Sequence, residues 1–219
     1  MYTVQRSSRR NPAGGSGVDI EFFTTTFSAT EDPISEGGIW LNGQADGGQW
    51  KNMRTSGGNA FGQTIQVGFD DNIAIIKNWG LTDYYVQGVV WKDTGYSSSV
   101  NHECELLGRF LISSGVARGI EALFSKDGNH QIVRWNGDLG SFDSLAQVSD
   151  IVLVDGDVMR VEFSGDSIVT RRNGNQINSA TDATWADGAP GIGTFSVGGG
   201  SPAIDITRMG WRSFEAGPL

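Results

Sequence analysis

The segment Asn101-His-Glu-Cys-Glu-Leu-Leu-Gly-Arg109 holds the residue types best suited to chemistry. As an extended strand it splits into two faces. His102, Cys104, Leu106, Gly108 and Phe110 share one, and Asn101, Glu103, Glu105, Leu107 and Arg109 share the other. Cys104, Leu106 and Phe110 suit a core, which leaves Glu103, Glu105 and Arg109 on the open side. Carboxylates two residues apart on a strand stand about 6.5–7 Å apart. That range overlaps the separation that glycoside hydrolysis asks of its acid and its base or nucleophile. Glu121, flanked by Ile120 and Ala122, is expected to face the same way from the next strand. Gln131 and Trp135 follow one strand later, and Tyr85, Gln87 and Trp91 precede. Together they predict a polar trough with aromatic stacking surfaces. The plainer alternative is a solvated outer strand with Glu103 and Glu105 paired to Arg109 or Arg118.

Other chemistries fit less well. A lyase needs a base beside a uronate and a group that neutralises its charge. His102 or His130 with Tyr85 and Arg109 is the available set. No G-x-S-x-G elbow exists for a serine nucleophile. Cys104 and His102 lie on one face of a strand, so they form no dyad, and Cys104 is expected to fill core space.

The elements that position these residues are short strands. Apolar or alternating runs occur at 20–27, 38–41, 61–69, 73–76, 84–91, 101–112, 118–124, 131–135, 151–153, 158–163, 167–172, 176–179, 191–197 and 204–214. Asp-Gly at 46–47, 127–128, 155–156 and 187–188 and Asn-Gly at 42–43, 136–137 and 173–174 tolerate the positive φ of tight hairpins. No long stretch has a glycine-free 3.6-residue period, and βαβ units are missing. A single all-β antiparallel sandwich follows. Trp40 and Trp211 are expected in its core, and Trp50, Trp79 and Trp185 on its surface.

The run Gly156-Asp-Val-Met-Arg-Val-Glu-Phe-Ser-Gly165, then Ile168, Arg172-Asn-Gly174, Asp182 and Gly188–Gly193, resembles the concanavalin A-like lectin/glucanase superfamily. Phe27 and Ser28, then Gly37-Gly-Ile-Trp40, are similar to its first strand and the tryptophan that follows, and the closing Asp205-Ile-Thr-Arg-Met-Gly-Trp211 is similar to its last strand. The resemblance implies a jelly-roll sandwich over 19–219 with a polysaccharide on its concave sheet, held by a binding or adhesion domain. It equally implies a second reading, a polysaccharide-active enzyme. Glucanases of this group carry E-x-D-x-E on one strand. Here Glu103 and Glu105 match the first two acids, Leu107 or, in the bulged form E-x-D-x-x-E, Gly108 stands at the third, and Glu121 is the spatial replacement. The resemblance also implies one structural Ca²⁺ at the rim, with Glu21, Glu36 and Asp205 as ligands beside loop carbonyls. Asp70-Asp71 and Asp155-x-Asp157 are looser sets.

Composition narrows the partners. The chain has 219 residues, 25 acidic against 16 basic, for a net charge of −9. That balance opposes duplex nucleic acid and disfavours polyanionic glycans, so neutral chains are the expected ligands. One cysteine excludes an internal disulfide framework. No 18-residue apolar run crosses a bilayer, and no signal-peptide pattern opens the sequence. A virion component, a structural assembly protein or a domain of a secreted protein all fit. Residues 1–18, with Arg6, Arg9, Arg10 and a Gly-rich end, read as a flexible arm available for an assembly or homo-oligomer contact.

Overall fold

The computed structural model describes residues 1–6, 19–63, 69–96, 101–197 and 206–219. Sixteen strands appear among them: β1 (Tyr2–Arg6), β2 (Ile20–Thr25), β3 (Trp40–Asn42), β4 (Lys51–Ser56), β5 (Asn59–Gly62), β6 (Phe69–Ile76), β7 (Tyr84–Lys92), β8 (His102–Ser113), β9 (Val116–Ser125), β10 (His130–Gly137), β11 (Phe142–Val148), β12 (Val158–Ser164), β13 (Ser167–Arg172), β14 (Asn175–Thr181), β15 (Ala189–Val197) and β16 (Met209–Pro218). Two three-residue 3-10 turns, Ala45–Gly47 and Ile206–Arg208, are the helical content of the described residues.

The strands form two layers. The first sheet runs β2-β16-β7-β12-β13-β14, with β1 on β2 and the β4–β5 hairpin on β16. The second runs β11-β10-β9-β8-β15-β6, with β3 on β6. Strand β4 pairs with β5 and also, in parallel, with β6, so hydrogen bonding passes from one sheet to the other. Strands β11 and β14 meet at the opposite side. The result is a nearly closed antiparallel sandwich.

Alternation explains the core. Met159, Val161 and Phe163 of β12 point inward with Tyr84, Val86 and Val90 of β7. They meet Cys104 and Leu106 of β8 and Ile120, Ala122 and Phe124 of β9. Trp40 and Trp211 lie in this core, as expected. The β13–β14 turn uses Asn173 (φ 51°) and Gly174 (φ 83°), the left-handed pair that a two-residue hairpin needs.

Several expectations change. Residues 1–18 are not an arm throughout, because Tyr2–Arg6 pairs antiparallel with β2; residues 7–18 lie outside the described residues. Ile151–Leu153 is a loop, while Lys51–Ser56 and Phe142–Val148 are strands. Trp50 is buried rather than exposed. It belongs to a second apolar cluster with Leu107, Phe110, Ile112, Leu123, Val133 and Trp135 on the outer side of the second sheet.

Candidate functional site

Register places the acidic residues. In the second sheet, Asp71 of β6, Phe195 of β15 and Glu103 of β8 form one cross-strand row. Ile73, Gly193, Glu105, Leu123 and Gln131 form the next. Ile75, Gly191, Leu107, Glu121 and Val133 form the third. Partners directly opposite share a face, so Glu103, Glu105, Glu121 and Asp71 all project from the outer side of this sheet. A cavity of about 520 Å³ lies over them, lined by Asp71, Glu103, Glu121, Gln131, Trp135 and Phe142 among others.

The site is far less wet than a trough of surface acids. Glu103 is 7% exposed, Glu121 3% and Glu105 0%. The Trp135 indole donates to Glu121 Oε2 at 2.7 Å, and the Asn101 amide donates to Glu103 Oε1. Neither oxygen of Glu105 has a hydrogen-bond partner. Its side chain lies over Gly193, where an added Cβ would come within 2.2 Å of Oε2. Burial disfavours the charged form and pushes the Glu103 carboxyl up to about 7. Burial raises Glu105 well above the usual carboxylate range, and the neighbouring Glu121 and Asp71 add to it. Burial and Asp71 raise Glu121, against the opposing hydrogen bond from Trp135. A set of carboxyls that holds protons near neutral pH can donate one to a leaving group or share hydrogen bonds with hydroxyls.

Arg109 does not join this group. Gly108 pairs with Ile120 and Leu111 with Arg118, so Arg109 and Phe110 together oppose Gly119. This bulge, with Arg109 at φ 53°, reverses the alternation. The guanidinium turns toward the first sheet, donates to the carbonyls of Gly165 and Trp185, and lies 5.4 Å from the Phe163 ring centroid. Phe110, expected between the sheets, instead joins the outer apolar cluster. Arg118 pairs with Asp187 at 3.1 Å, so neither arginine neutralises the glutamates.

Tyr85, Gln87 and Trp91 are also elsewhere. Strand β7 pairs with β12 and β16 in the first sheet, a whole layer away from the acids. The Tyr85 hydroxyl donates to Glu215, and Arg160 covers its ring at 3.7 Å. The histidines of the lyase reading sit between the layers. His102 is buried against the Tyr96 hydroxyl at 2.8 Å. His130 is held by the Leu123 carbonyl at 2.6 Å and Thr170 at 2.8 Å. Burial lowers both to about 4, and neither lines the cavity. Cys104 is buried, and burial raises its thiol pKa.

The calcium set has a different occupation. Glu36 accepts from Thr25 and, at 2.8 Å, from the Trp40 indole. Asp205 lies outside the described residues. Glu21 stands on β2, partly buried. Among the described residues no three His, Cys, Asp or Glu side chains group closely enough to hold a metal ion.

Sequence reasoning missed Asp71, Asn129, Phe142 and Phe195 as cavity residues. Asp71 had a usable signal, since it alternates with Ile73 and Ile75, both on the outer face. Phe142 had little, because β11 is an edge strand with mostly polar, exposed residues.

No protein-family model matches the chain, and no curated protein is similar to it in sequence. Solved structures do share its fold. A carbohydrate-binding module from Bacillus subtilis superposes with a TM-score of 0.56 at 14% identity, over 75% of this chain and 94% of that one. A β-1,3-1,4-glucanase (lichenase) from a mouse hindgut metagenome gives 0.56 at 10% identity, over 91% and 100%. The laminarinase of Rhodothermus marinus gives 0.51 at 10%, over 89% and 95%. At these identities the likeness is one of fold, and that fold is the concanavalin A-like jelly-roll sandwich.

Proposed function

We propose that the protein binds a polysaccharide in the cavity on the outer face of the second sheet. The observation that carries this reading is the composition of that one cavity. Trp135, Phe142 and Phe195 offer apolar ring surface, while Gln131, Asn129 and Glu103 offer hydrogen-bonding groups beside them. Sugar rings present C–H faces and hydroxyl edges, and such a lining complements both. The fold shared with a carbohydrate-binding module, a glucanase and a laminarinase agrees with it. The acids of the lining and the net charge of −9 argue against a polyanionic chain.

Titration calorimetry with a panel of oligosaccharides tests the reading. Phe142, 50% exposed, and Gln131 can be truncated without opening the core. Phe142→Ala and Gln131→Ala should each weaken binding by about tenfold. Unchanged affinity in both variants would place the ligand elsewhere.

One observation favours hydrolysis as a second reading. Glu121 is the direct cross-strand partner of Leu107, one of the two positions, with Gly108, that match the third acid of the resembled glucanases. A glycosidase would use a protonated carboxyl as acid and a second carboxylate as base or nucleophile. Reducing-end release that vanishes in Glu121→Gln while binding persists would establish turnover.

A further inference from the structure

The cavity is not built from its sheet alone. Leu139 and Gly140 line it from the loop between β10 and β11, and a segment from far earlier in the chain holds that loop. The Gln49 side chain makes both contacts. Its amide nitrogen donates to Asp138 Oδ1 at 3.4 Å, and its Oε1 accepts from the Leu139 backbone N–H at 3.3 Å. One planar amide thus spans two consecutive loop residues, donor to acceptor and acceptor to donor. The next residue, Trp50, turns inward and is buried, with its ring 5.4 Å from that of Trp135. Trp135 in turn lies 5.2 Å from Phe142. The loop is jointed: Gly137 (φ 137°) and Gly140 (φ 86°) bracket Asp138 and Leu139, in a region of φ that other residues rarely adopt. Its backbone bonds, Asn136 N–H to the Ser141 carbonyl and Ser141 N–H to the Asp138 carbonyl, close the hairpin without reaching Gln49. The tip is held by Leu139 against the outer apolar cluster and by the Gln49 amide.

We propose that Gln49 is a positioning residue for glycan binding, a clasp that sets the β10–β11 loop against the ligand and opens to admit it. This rests on the glycan-binding reading above and adds how that site is gated. Gln49 does not itself line the cavity, so it acts through the loop. Both of its bonds are long, and Gln49 and Asp138 are exposed. Water replaces such bonds at little cost, and segments held this way open locally well below the free energy of global unfolding. The two glycines absorb the backbone change that the swing asks for. A ligand favours the closed form only through contacts made there alone, and Leu139 and Gly140 supply them, beside the Trp135 and Phe142 rings.

Binding kinetics of the whole protein with neutral glucose, galactose and mannose oligomers decide the matter. Gln49→Ala removes both bonds from an exposed position, so the fold and its circular dichroism should stay unchanged. Affinity for the oligomer that binds the parent best should fall by about tenfold, with the loss carried by faster dissociation. Gln49→Glu alone sets two carboxylates together and should be as weak. Combining Gln49→Glu with Asp138→Asn reverses donor and acceptor and keeps the acceptor for Leu139 N–H. That pair should return affinity to within about twofold of the parent, a rescue that a merely structural role for Gln49 would not give. If Gln49→Ala binds as the parent does, the clasp fails and glycan binding stands. If the loss in Gln49→Ala is not recovered by the reciprocal pair, Gln49 does not act through the loop and the assignment falls. If no oligomer binds the parent, both readings fail.

Discussion

Leu107 and Glu121 are Cα partners on adjacent strands β8 and β9, and their side chains share the outer face of the second sheet. An apolar and an acidic residue thus sit side by side in a buried layer, and the acid is kept there by the Trp135 indole 2.7 Å away.

That hydrogen bond should be visible in stability. Glu121→Gln keeps an acceptor for the Trp135 N–H and gives up the titratable group. Glu121→Ala leaves the buried indole unpaired and opens a void. The alanine variant should unfold about 1–3 kcal/mol more easily than the glutamine variant. Equal midpoints in urea would mean that Glu121 does not anchor Trp135.

Glu103 should make stability depend on pH in an unusual direction for a carboxyl. Its folded value is raised to about 7 from an ordinary 4.5, so the native state holds the proton more tightly than the unfolded chain. The resulting stability is fully present below pH 4.5 and is lost as pH rises through 7. His102 and His130, lowered to about 4, act oppositely: their contribution is present above about 6.5 and is lost as pH falls toward 4. Comparing Glu103→Gln with the parent chain cancels the histidines. The variant should gain about 3 kcal/mol relative to the parent between pH 4.5 and 7. Denaturant curves at several pH values that stay parallel would refute the raised pKa.

The sequence made part of this legible and hid the rest for physical reasons. Strands β8, β9 and β12 alternate cleanly, so Cys104, Leu106, Ile120 and Ala122 could be sent inward and three glutamates outward. The bulge at Arg109 has no such signature, because Gly108 and Gly119 allow it without announcing which residue is doubled. Tyr85 was misassigned because β7 precedes β8 in the chain yet belongs to the other sheet, and periodicity within a strand does not reveal its layer. β1 and β11 were missed because edge strands bury little. Burial of the carboxyls was hidden as well, since the outer face of the second sheet carries its own apolar cluster, with Trp50 and Leu139 joining it from outside β8 and β9.

Gly193 keeps the space that Glu105 fills. A Cβ there would lie 2.2 Å from Glu105 Oε2 and 3.0 Å from the Asn72 carbonyl oxygen. Gly193→Ala should therefore destabilise by about 1–3 kcal/mol. Shortening the glutamate relieves the closer clash, so Glu105→Ala combined with Gly193→Ala should cost less than the sum of the two. A coupling of about 1 kcal/mol or more in a double-mutant cycle is expected; strict additivity would contradict this packing.

Arg109 separates the fold from the site. The residue is 2% exposed, and its guanidinium ties β8 to the Ser164-Gly165 turn of the first sheet through the Gly165 carbonyl, on the side of the second sheet away from the cavity. Truncation removes the side chain's packing against Phe163 and leaves that carbonyl without its donor. Arg109→Ala should thus cost about 2–4 kcal/mol. The backbone at φ 53° adds a second signature, since glycine adopts this region without the Cβ strain that alanine meets. Arg109→Gly should then be more stable than Arg109→Ala by about 1 kcal/mol, the reverse of their order in a regular strand. Both variants should bind oligosaccharide as the parent does, below their melting temperatures. Loss of affinity with unchanged stability would return Arg109 to the cavity and overturn the bulge as its cause.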